Sequence, residues 1–195
     1  MTCWDKVFDF VLRMEGGYSD HPSDRGDKTN MGITSSTLDR AYAARIVNVT
    51  DVKALTKADA EKIYEVLYWK ASRADRMPWS LCLVHFDSAV NHGVNRAGKL
   101  LQQTLNEICH AGLKVDGIVG RLTLSTLDSA LKTSGVEIIC EKYLGKRQAF
   151  YDHIVQCTPS QKVFYKGWIN RLSALRKAAC SFTIDVRPMR IEKSD

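Results

Sequence analysis

The segment from Pro78 to His92 is apolar on almost every side when it is arranged as a helix. Its apolar residues are Leu81, Leu83, Val84, Phe86, Ala89 and Val90. A surface helix carries one apolar stripe, whereas a helix that is apolar all round is buried. Gly93 follows directly and favours the end of a helix. The segment therefore predicts a central helix that the other elements of the fold must surround.

Helical spacing recurs along the rest of the chain and predicts a mainly α fold. Apolar residues recur three and four positions apart in residues 4–14, 56–71, 97–108, 123–130, 136–155 and 161–179. Thr56 and Asp59 form a capping-box-like start for the second of these helices. Strand patterns are confined to residues 46–49 and 182–186. The sequence thus predicts at most a minor β element, followed by an extended or frayed tail at residues 181–195.

The net charge favours a polyanionic partner. The chain has 195 residues, with 28 Lys and Arg against 22 Asp and Glu, a net charge of +6 and a pI near 9.0. Nucleic acid, anionic lipid and bacterial cell wall are candidate polyanions, and an ordinary soluble surface with a modest basic excess is the alternative. No helix-turn-helix, zinc-finger or RNA-binding motif is present. No apolar run reaches the ~18 residues of a membrane span, so we expect no stable membrane insertion.

Cysteine usage predicts reduced thiols. Six cysteines occur, at positions 3, 82, 109, 140, 157 and 180, without a CxxC pair that would indicate zinc or thioredoxin-like chemistry. An even number allows three disulfides, but Cys109 and Cys140 lie on predicted apolar helix faces, where free cysteine acts as a small hydrophobe. Trp4, Asp5 and Lys6 leave no room for the apolar region of a secretory signal. We therefore expect a protein made in the cytoplasm without a signal peptide.

Glu15 is the first candidate for chemistry. It is the last residue of the first predicted helix, whose apolar spacing runs through residues 4–14, and it precedes Gly16, Gly17 and Tyr18. The partial negative charge of a helix C-terminus and apolar neighbours both favour a protonated carboxyl group, which can donate a proton to a leaving oxygen. Glycines without Cβ allow a polymer to approach closely. The alternative is an ordinary surface glutamate at a helix end.

The following loop supplies further carboxylates. Asp20 and Asp24 lie in a stretch, roughly 18–36, that is rich in Gly, Ser, Asp, Asn and Thr. Glycoside hydrolysis generally pairs two carboxyl groups, one acting as acid and the other as nucleophile or base. Asp20 and Asp24 are therefore candidates for the second group, with Asx-turns within the loop as the alternative.

Several segments, in order along about residues 4–177, resemble glycoside hydrolase family 108. The segments are Glu15-Gly16-Gly17-Tyr18, Pro22–Gly26, Thr29–Thr34, Tyr64–Trp69 (YEVLYW), Phe86–Gly93 (FDSAVNHG), Leu101-Gln102, Asp116–Gly120 (DGIVG) and Phe164–Arg171 (FYKGWINR). The first three resemble the family pattern EGGY…PxDxGGxTxxGIT. Asp27 departs from that pattern, because the family has glycine there.

The resemblance implies a lysozyme-like helical fold with a long active-site loop, and N-acetylmuramidase activity. It implies a catalytic region at residues 1–93 and a peptidoglycan-binding-like helical region at 94–180, packed as one globule before the tail 181–195. Glu15 matches the catalytic acid of the family. No metal or other cofactor is implied, and the histidines have no metal-ligand spacing.

Five residues are candidates for substrate binding. Tyr18 and Trp69 offer aromatic faces to a sugar ring, and Trp69 is favoured over Tyr68 because a helix turns it roughly 100° from the buried stripe. Thr29 and Thr34 offer hydroxyls, and Asn91 ends the central helix beside Gly93. The alternatives are hydrogen bonds within the loop for the threonines, and capping or core hydrogen bonds for Asn91.

The predicted function is hydrolysis of the β-1,4 bond between N-acetylmuramic acid and N-acetylglucosamine, as in a phage or prophage endolysin. The alternatives are a lytic transglycosylase and a non-catalytic peptidoglycan-binding or secretion-accessory protein. The expected partner is the peptidoglycan glycan strand and not nucleic acid. We expect a monomer that acts on the cell wall, in the periplasm, after holin-dependent release.

Overall fold

The computed structural model describes residues 2–15 and 28–181, the side chains of the last two excepted. The helices are α1 (Cys3–Glu15), α2 (Ser35–Ala43), α3 (Lys57–Tyr64), α4 (Leu81–His92), α5 (Val94–Cys109), α6 (Arg121–Cys157) and α7 (Lys162–Ser181). Single-turn 3₁₀ helices occur at Val52–Ala54, Ala74–Arg76 and Pro159–Gln161, and a π-helix at Glu65–Lys70. Strands β1 (Thr29–Asn30) and β2 (Ile33–Thr34) pair antiparallel. The predicted mainly α fold is confirmed.

Helix α4 is the centre of the fold, as its composition predicts. All nine residues from Leu81 to Ala89 are buried. Helices α1, α5, α6 and α7 and the π-helix all contact it. Because some of these helices precede α4 and others follow it, one hydrophobic core joins the two halves of the chain.

The predicted helix ends agree with the local chemistry. Thr56 accepts from the backbone N–H of Asp59 while the Asp59 carboxylate accepts from the N–H of Thr56, which confirms the capping box. The predicted helices 123–130 and 136–155 both lie within α6. Gly135, at φ +80°, interrupts α6 between them, in a conformation that glycine adopts without strain.

Residues 46–49 form no strand, and this prediction is wrong. Arg45 has a φ of +58°, and the N–H of Ile46 donates to the carbonyl of Ala41. These residues therefore follow directly on the C-terminus of α2. Within this β-branched apolar run, Val47 is buried in the core. The second predicted strand, 182–186, and the tail lie outside the described residues. Within the described ranges, no helix is long and apolar enough to cross a membrane.

Two buried contacts fix the positions of α4 and α5 in the fold. His85 on α4 donates from Nε2 to the carbonyl of Ser72, 3.0 Å away, and burial keeps its ring neutral by lowering its pKa. Gly98 on α5 packs directly on the loop at Gly117, since a Cβ on Gly98 would lie 2.1 Å from the Gly117 carbonyl oxygen. Burial of His85 makes stability depend on pH, because it lowers the pKa of His85 to about 4.

We expect the free energy of unfolding to fall as the pH is lowered from 7.5 to 4.5. A histidine in the unfolded chain binds a proton below about pH 6.5, whereas His85 in the folded chain does not until about pH 4. Its contribution is therefore complete above pH 6.5 and is lost as the pH falls, by about 3 kcal/mol. Denaturant unfolding at both pH values measures the loss.

The variant His85→Gln should show a smaller loss between the two pH values than the wild type. His110→Gln, at an exposed histidine, is the matched control and should keep the wild-type loss. An equal loss in wild type and His85→Gln would contradict the assignment.

Candidate active site

Glu15 lies at the C-terminal end of α1, where the core meets solvent. Val7, Phe8, Phe10 and Val11 bury one face of this helix. The Glu15 side chain is 19% exposed, so it is largely enclosed yet accessible to a ligand. A carboxyl group in this position meets the first requirement for a proton donor to a bound polymer.

The turn between β1 and β2 packs directly on Glu15. Gly32 in this turn has a φ of +74°, and a Cβ there would lie 2.7 Å from the Glu15 Cβ and 2.6 Å from the Tyr64 hydroxyl oxygen. Tyr64 donates to the carbonyl of Met31 over 2.9 Å and so holds the turn in place. Burial and the charge of Glu15 raise the pKa of Tyr64, which keeps this donor protonated. Only glycine fits at position 32 without moving the acid or its neighbour.

Arg171 of α7 pairs with Glu15. Its Nη2 lies 2.6 Å from Glu15 Oε1, and its side chain is only 11% exposed. The sequence predicted apolar surroundings for Glu15, and the structure adds a largely buried cation in direct contact with it. The contact joins the end of the first helix to a residue 156 positions later.

Asp87 of α4 holds Arg171 from the core side. Arg171 donates from Nε to Asp87 Oδ1 at 2.8 Å, and the other oxygen of Asp87 accepts from Arg147 Nη1 at 2.6 Å. Asp87 and Arg147 are both fully buried. Burial alone would raise the pKa of Asp87, but the two guanidinium groups outweigh it and hold the pKa below its ordinary value. We call Glu15, Arg171, Asp87 and Arg147 the ion-pair chain.

The ion-pair chain extends to the end of α4. Arg147 donates from Nε to His92 Nε2 at 3.0 Å and from Nη2 to the Tyr151 hydroxyl at 3.1 Å. Tyr151 donates in turn to Asn91 Oδ1 at 2.9 Å. Burial and the charge of Arg147 lower the pKa of His92 to about 3, so this histidine is a neutral acceptor.

The structure places the predicted binding residues in different settings. Asn91 is exposed at the end of α4 and is fixed by Tyr151. Thr34 caps α2, because its hydroxyl accepts from the N–H of Thr37 at 3.1 Å. Thr29 lies opposite Thr34 in the β1–β2 pair, whose turn contacts Glu15. Asn91 and Thr29 therefore stay candidates, and the Thr34 hydroxyl has a structural role.

The orientation predicted for Trp69 is wrong. Trp69 is 8% exposed and packs against Trp4 and Phe86, with ring centroids 5.4 and 5.5 Å away. Tyr68, assigned to the core from the sequence, is only partly buried. The π-helix Glu65–Lys70 explains the reversal, because i to i+5 hydrogen bonding changes the angle between successive residues from that of an α-helix.

Three of the predicted site residues, Tyr18, Asp20 and Asp24, lie outside the described residues, as does Asp27. Their roles stay predictions. Among the residues that are described, no group of His, Cys, Asp and Glu could hold a metal ion.

Sequence reasoning missed Arg171, Asp87 and Arg147 as site residues. Asp87 is a charged residue in the most apolar helix of the chain, and such a group must be paired if it is buried. Arg147 lies four positions from both Tyr143 and Tyr151, on the buried face of α6. Arg171 ends the FYKGWINR segment. Each of these signals was present in the sequence, but a single sequence does not specify which charged side chains pair with each other.

Comparison with known proteins assigns both halves of the chain. Residues 8–93 match the family model "Glycosyl hydrolase 108", and residues 96–173 match "Predicted Peptidoglycan domain". The structure of Brucella abortus SagA is similar, with 34% sequence identity and a TM-score of 0.75, over 94% of this chain and 97% of that chain. No curated protein matches. The chain belongs to glycoside hydrolase family 108 and carries a peptidoglycan domain after its hydrolase domain.

Proposed function

We propose that this protein is an N-acetylmuramidase of the endolysin type. It would hydrolyse the β-1,4 bond between N-acetylmuramic acid and N-acetylglucosamine in peptidoglycan, with Glu15 as the general acid. The observation that carries the proposal is the Glu15 carboxyl group, partly exposed and held from two sides within the matched hydrolase region. The family supports glycosidase activity on peptidoglycan, and the bond specificity is our proposal.

The two carboxyl oxygens of Glu15 differ in their contacts and therefore in their proposed roles. Oε1 accepts from Arg171, and among the described residues Oε2 has no hydrogen-bond partner. Arg171 is itself shared with Asp87, which balances its charge. Oε2 is therefore the oxygen that would carry the proton to the glycosidic oxygen as the bond to the anomeric carbon breaks. Water, or a second carboxylate from the Asp20 and Asp24 candidates, would meet the resulting oxocarbenium-like centre.

The second half of the chain offers a groove for the polymer. A cavity of about 550 Å³ lies between α5 and α6, inside the matched peptidoglycan domain. Arg96, Lys146 and His153 line it together with the ring of Phe150, and the Arg96 guanidinium lies 4.6 Å from the centre of that ring. The Arg96 and Lys146 cations over an apolar floor suit the stem peptides of peptidoglycan, which combine carboxylates with aliphatic side chains.

Glu15→Gln tests the catalytic role. The amide keeps the shape of the side chain but cannot donate the acid proton, so we expect activity on purified peptidoglycan to fall about 10²- to 10⁴-fold. Release of reducing ends measures the rate, and mass spectrometry identifies the products. Glu137→Gln, on the exposed face of α6, is the matched control and should retain wild-type activity.

Full activity in Glu15→Gln would disprove the assignment. Release of 1,6-anhydro sugars by the wild type would indicate a lytic transglycosylase instead. Failure of the wild type to clear peptidoglycan would indicate a binding or accessory protein.

Arg171→Met tests whether the cation positions Glu15. Asp87 keeps Arg147 as a partner in this variant, so we expect it to fold, with kcat/KM lower by on the order of 10- to 100-fold. Arg171→Lys keeps the charge but loses the planar fork, and should lie between the two.

A thermal unfolding scan separates loss of positioning from loss of fold. A wild-type kcat/KM in Arg171→Met would show that the cation has only a structural role.

Arg96→Glu tests the groove without relying on catalysis. In a Glu15→Gln background, we expect the charge reversal to weaken cosedimentation with insoluble peptidoglycan by on the order of 1 kcal/mol. Lys132→Glu makes the same charge change at an exposed site of α6 outside the groove and is the control. Equal binding by the two variants would contradict a role for the groove.

A further inference from the structure

Two thiols far apart in the sequence lie in contact. The Sγ atoms of Cys3 and Cys82 are 3.2 Å apart, across 79 positions of chain. Cys3 begins α1, and Cys82 is in the first turn of the central helix α4. A disulfide bond has an S–S length of about 2.05 Å. The two sulfur atoms therefore lie about 1.2 Å beyond bonding distance.

The two thiols differ in access to solvent. Cys3 is exposed, whereas Cys82 is fully buried. A reagent in solution therefore reacts first with the sulfur of Cys3. The buried Cys82 thiol can then react only with the sulfur of Cys3, which lies beside it. This arrangement favours one order of events, with Cys3 as the attacking thiol and Cys82 as the resolving thiol.

The electrostatics agree with that order. A hydrogen bond from Cys82, together with the charge of Lys6, lowers the pKa of Cys3 to about 7, against the opposing effect of burial. The same contact and its burial raise the pKa of Cys82. These effects raise the thiolate fraction of Cys3, and the thiolate is the nucleophile in disulfide exchange.

We propose that Cys3 and Cys82 are a redox modification site that forms an intramolecular disulfide by exchange with a low-molecular-weight disulfide of the glutathione type. The Cys3 thiolate attacks one sulfur of the reagent, the reagent S–S bond breaks, and the first reagent thiolate leaves and takes up a proton. Cys82 then loses its proton, attacks the sulfur of Cys3 and expels the second reagent thiolate, which is protonated in turn. Two protein thiols are oxidised and one reagent disulfide is reduced to two thiols.

The bond would tie the first helix to the central helix. Helix α1 carries Glu15 at its other end, and α4 carries Asp87 of the ion-pair chain. A cross-link across 79 positions removes much of the freedom of the unfolded chain. We expect it to raise the melting temperature by on the order of 10 °C. Formation of this disulfide is independent of whether the protein hydrolyses peptidoglycan.

Mass mapping of the full-length protein tests the proposal. The protein is incubated with oxidised glutathione, the remaining thiols are alkylated, and trypsin is added without reductant. Cleavage after Lys6, Arg76 and Arg96 leaves Cys3 alone in peptide 1–6 and Cys82 alone in peptide 77–96. We expect these peptides as one species, lighter than their sum by two hydrogen atoms, and a melting temperature that falls again on adding dithiothreitol.

Variants decide between this pair and other fates of the thiols. Cys82→Ala should trap Cys3 as the mixed disulfide with glutathione, and Cys3→Ser should abolish the cross-linked peptide, which keeps the test valid if the core variant does not fold. Cys157→Ser, at an exposed thiol of α6, is the control and should leave the cross-link intact. A stable mixed disulfide on Cys3 in the wild type, or a link from Cys82 to the buried Cys140, would overturn the proposal.

Discussion

The pairing of Asp87 with two arginines is the interaction on which the rest of the molecule depends. A carboxylate in the middle of an apolar helix is expensive to bury, and one cation in fixed geometry offsets only part of the cost. Here Arg147 and Arg171 bind different edges of Asp87 and are supplied by different helices. Arg171, which shares Asp87 with Arg147, also donates a hydrogen bond to Glu15. The charges of two carboxylates and two guanidinium groups thus balance. The candidate acid, Glu15, is the member of the ion-pair chain nearest to solvent.

Most of the fold could be predicted because its helices follow apolar spacing. The central helix, the capping box at Thr56 and the interruption near Gly135 were each indicated by local residues. Helix α2 was missed, since it is short and polar and buries only Leu38 and Ala41. The apolar run 46–49 suggested a strand, because an isolated β-branched run does not reveal whether a partner strand exists. Such errors arise where tertiary contacts, and not local preference, decide the conformation.

The candidate site was only partly predictable for a related reason. Glu15 could be identified because its chemistry is written in adjacent residues, namely a helix end and two glycines. Arg171 and Arg147 act through contacts 156 and 60 positions away, and a single sequence does not specify such contacts. Trp69 shows a third limit, since one π-helical turn exchanged the surroundings of Tyr68 and Trp69. The residues between Glu15 and β1 carry the predicted second carboxylates, whose roles rest on the sequence alone.

The burial of α4 also bears on how such a protein could have been assembled. The matched hydrolase region ends at residue 93 and contains all of α4, yet helices of the following region cover that helix. The boundary between the two family matches is therefore not a boundary between separately folded units. A fragment that stops at residue 93 would expose the apolar surface of α4 and leave Asp87 without either cation. Exchange of the peptidoglycan domain between relatives would then require that the new partner bring its own pair of arginines.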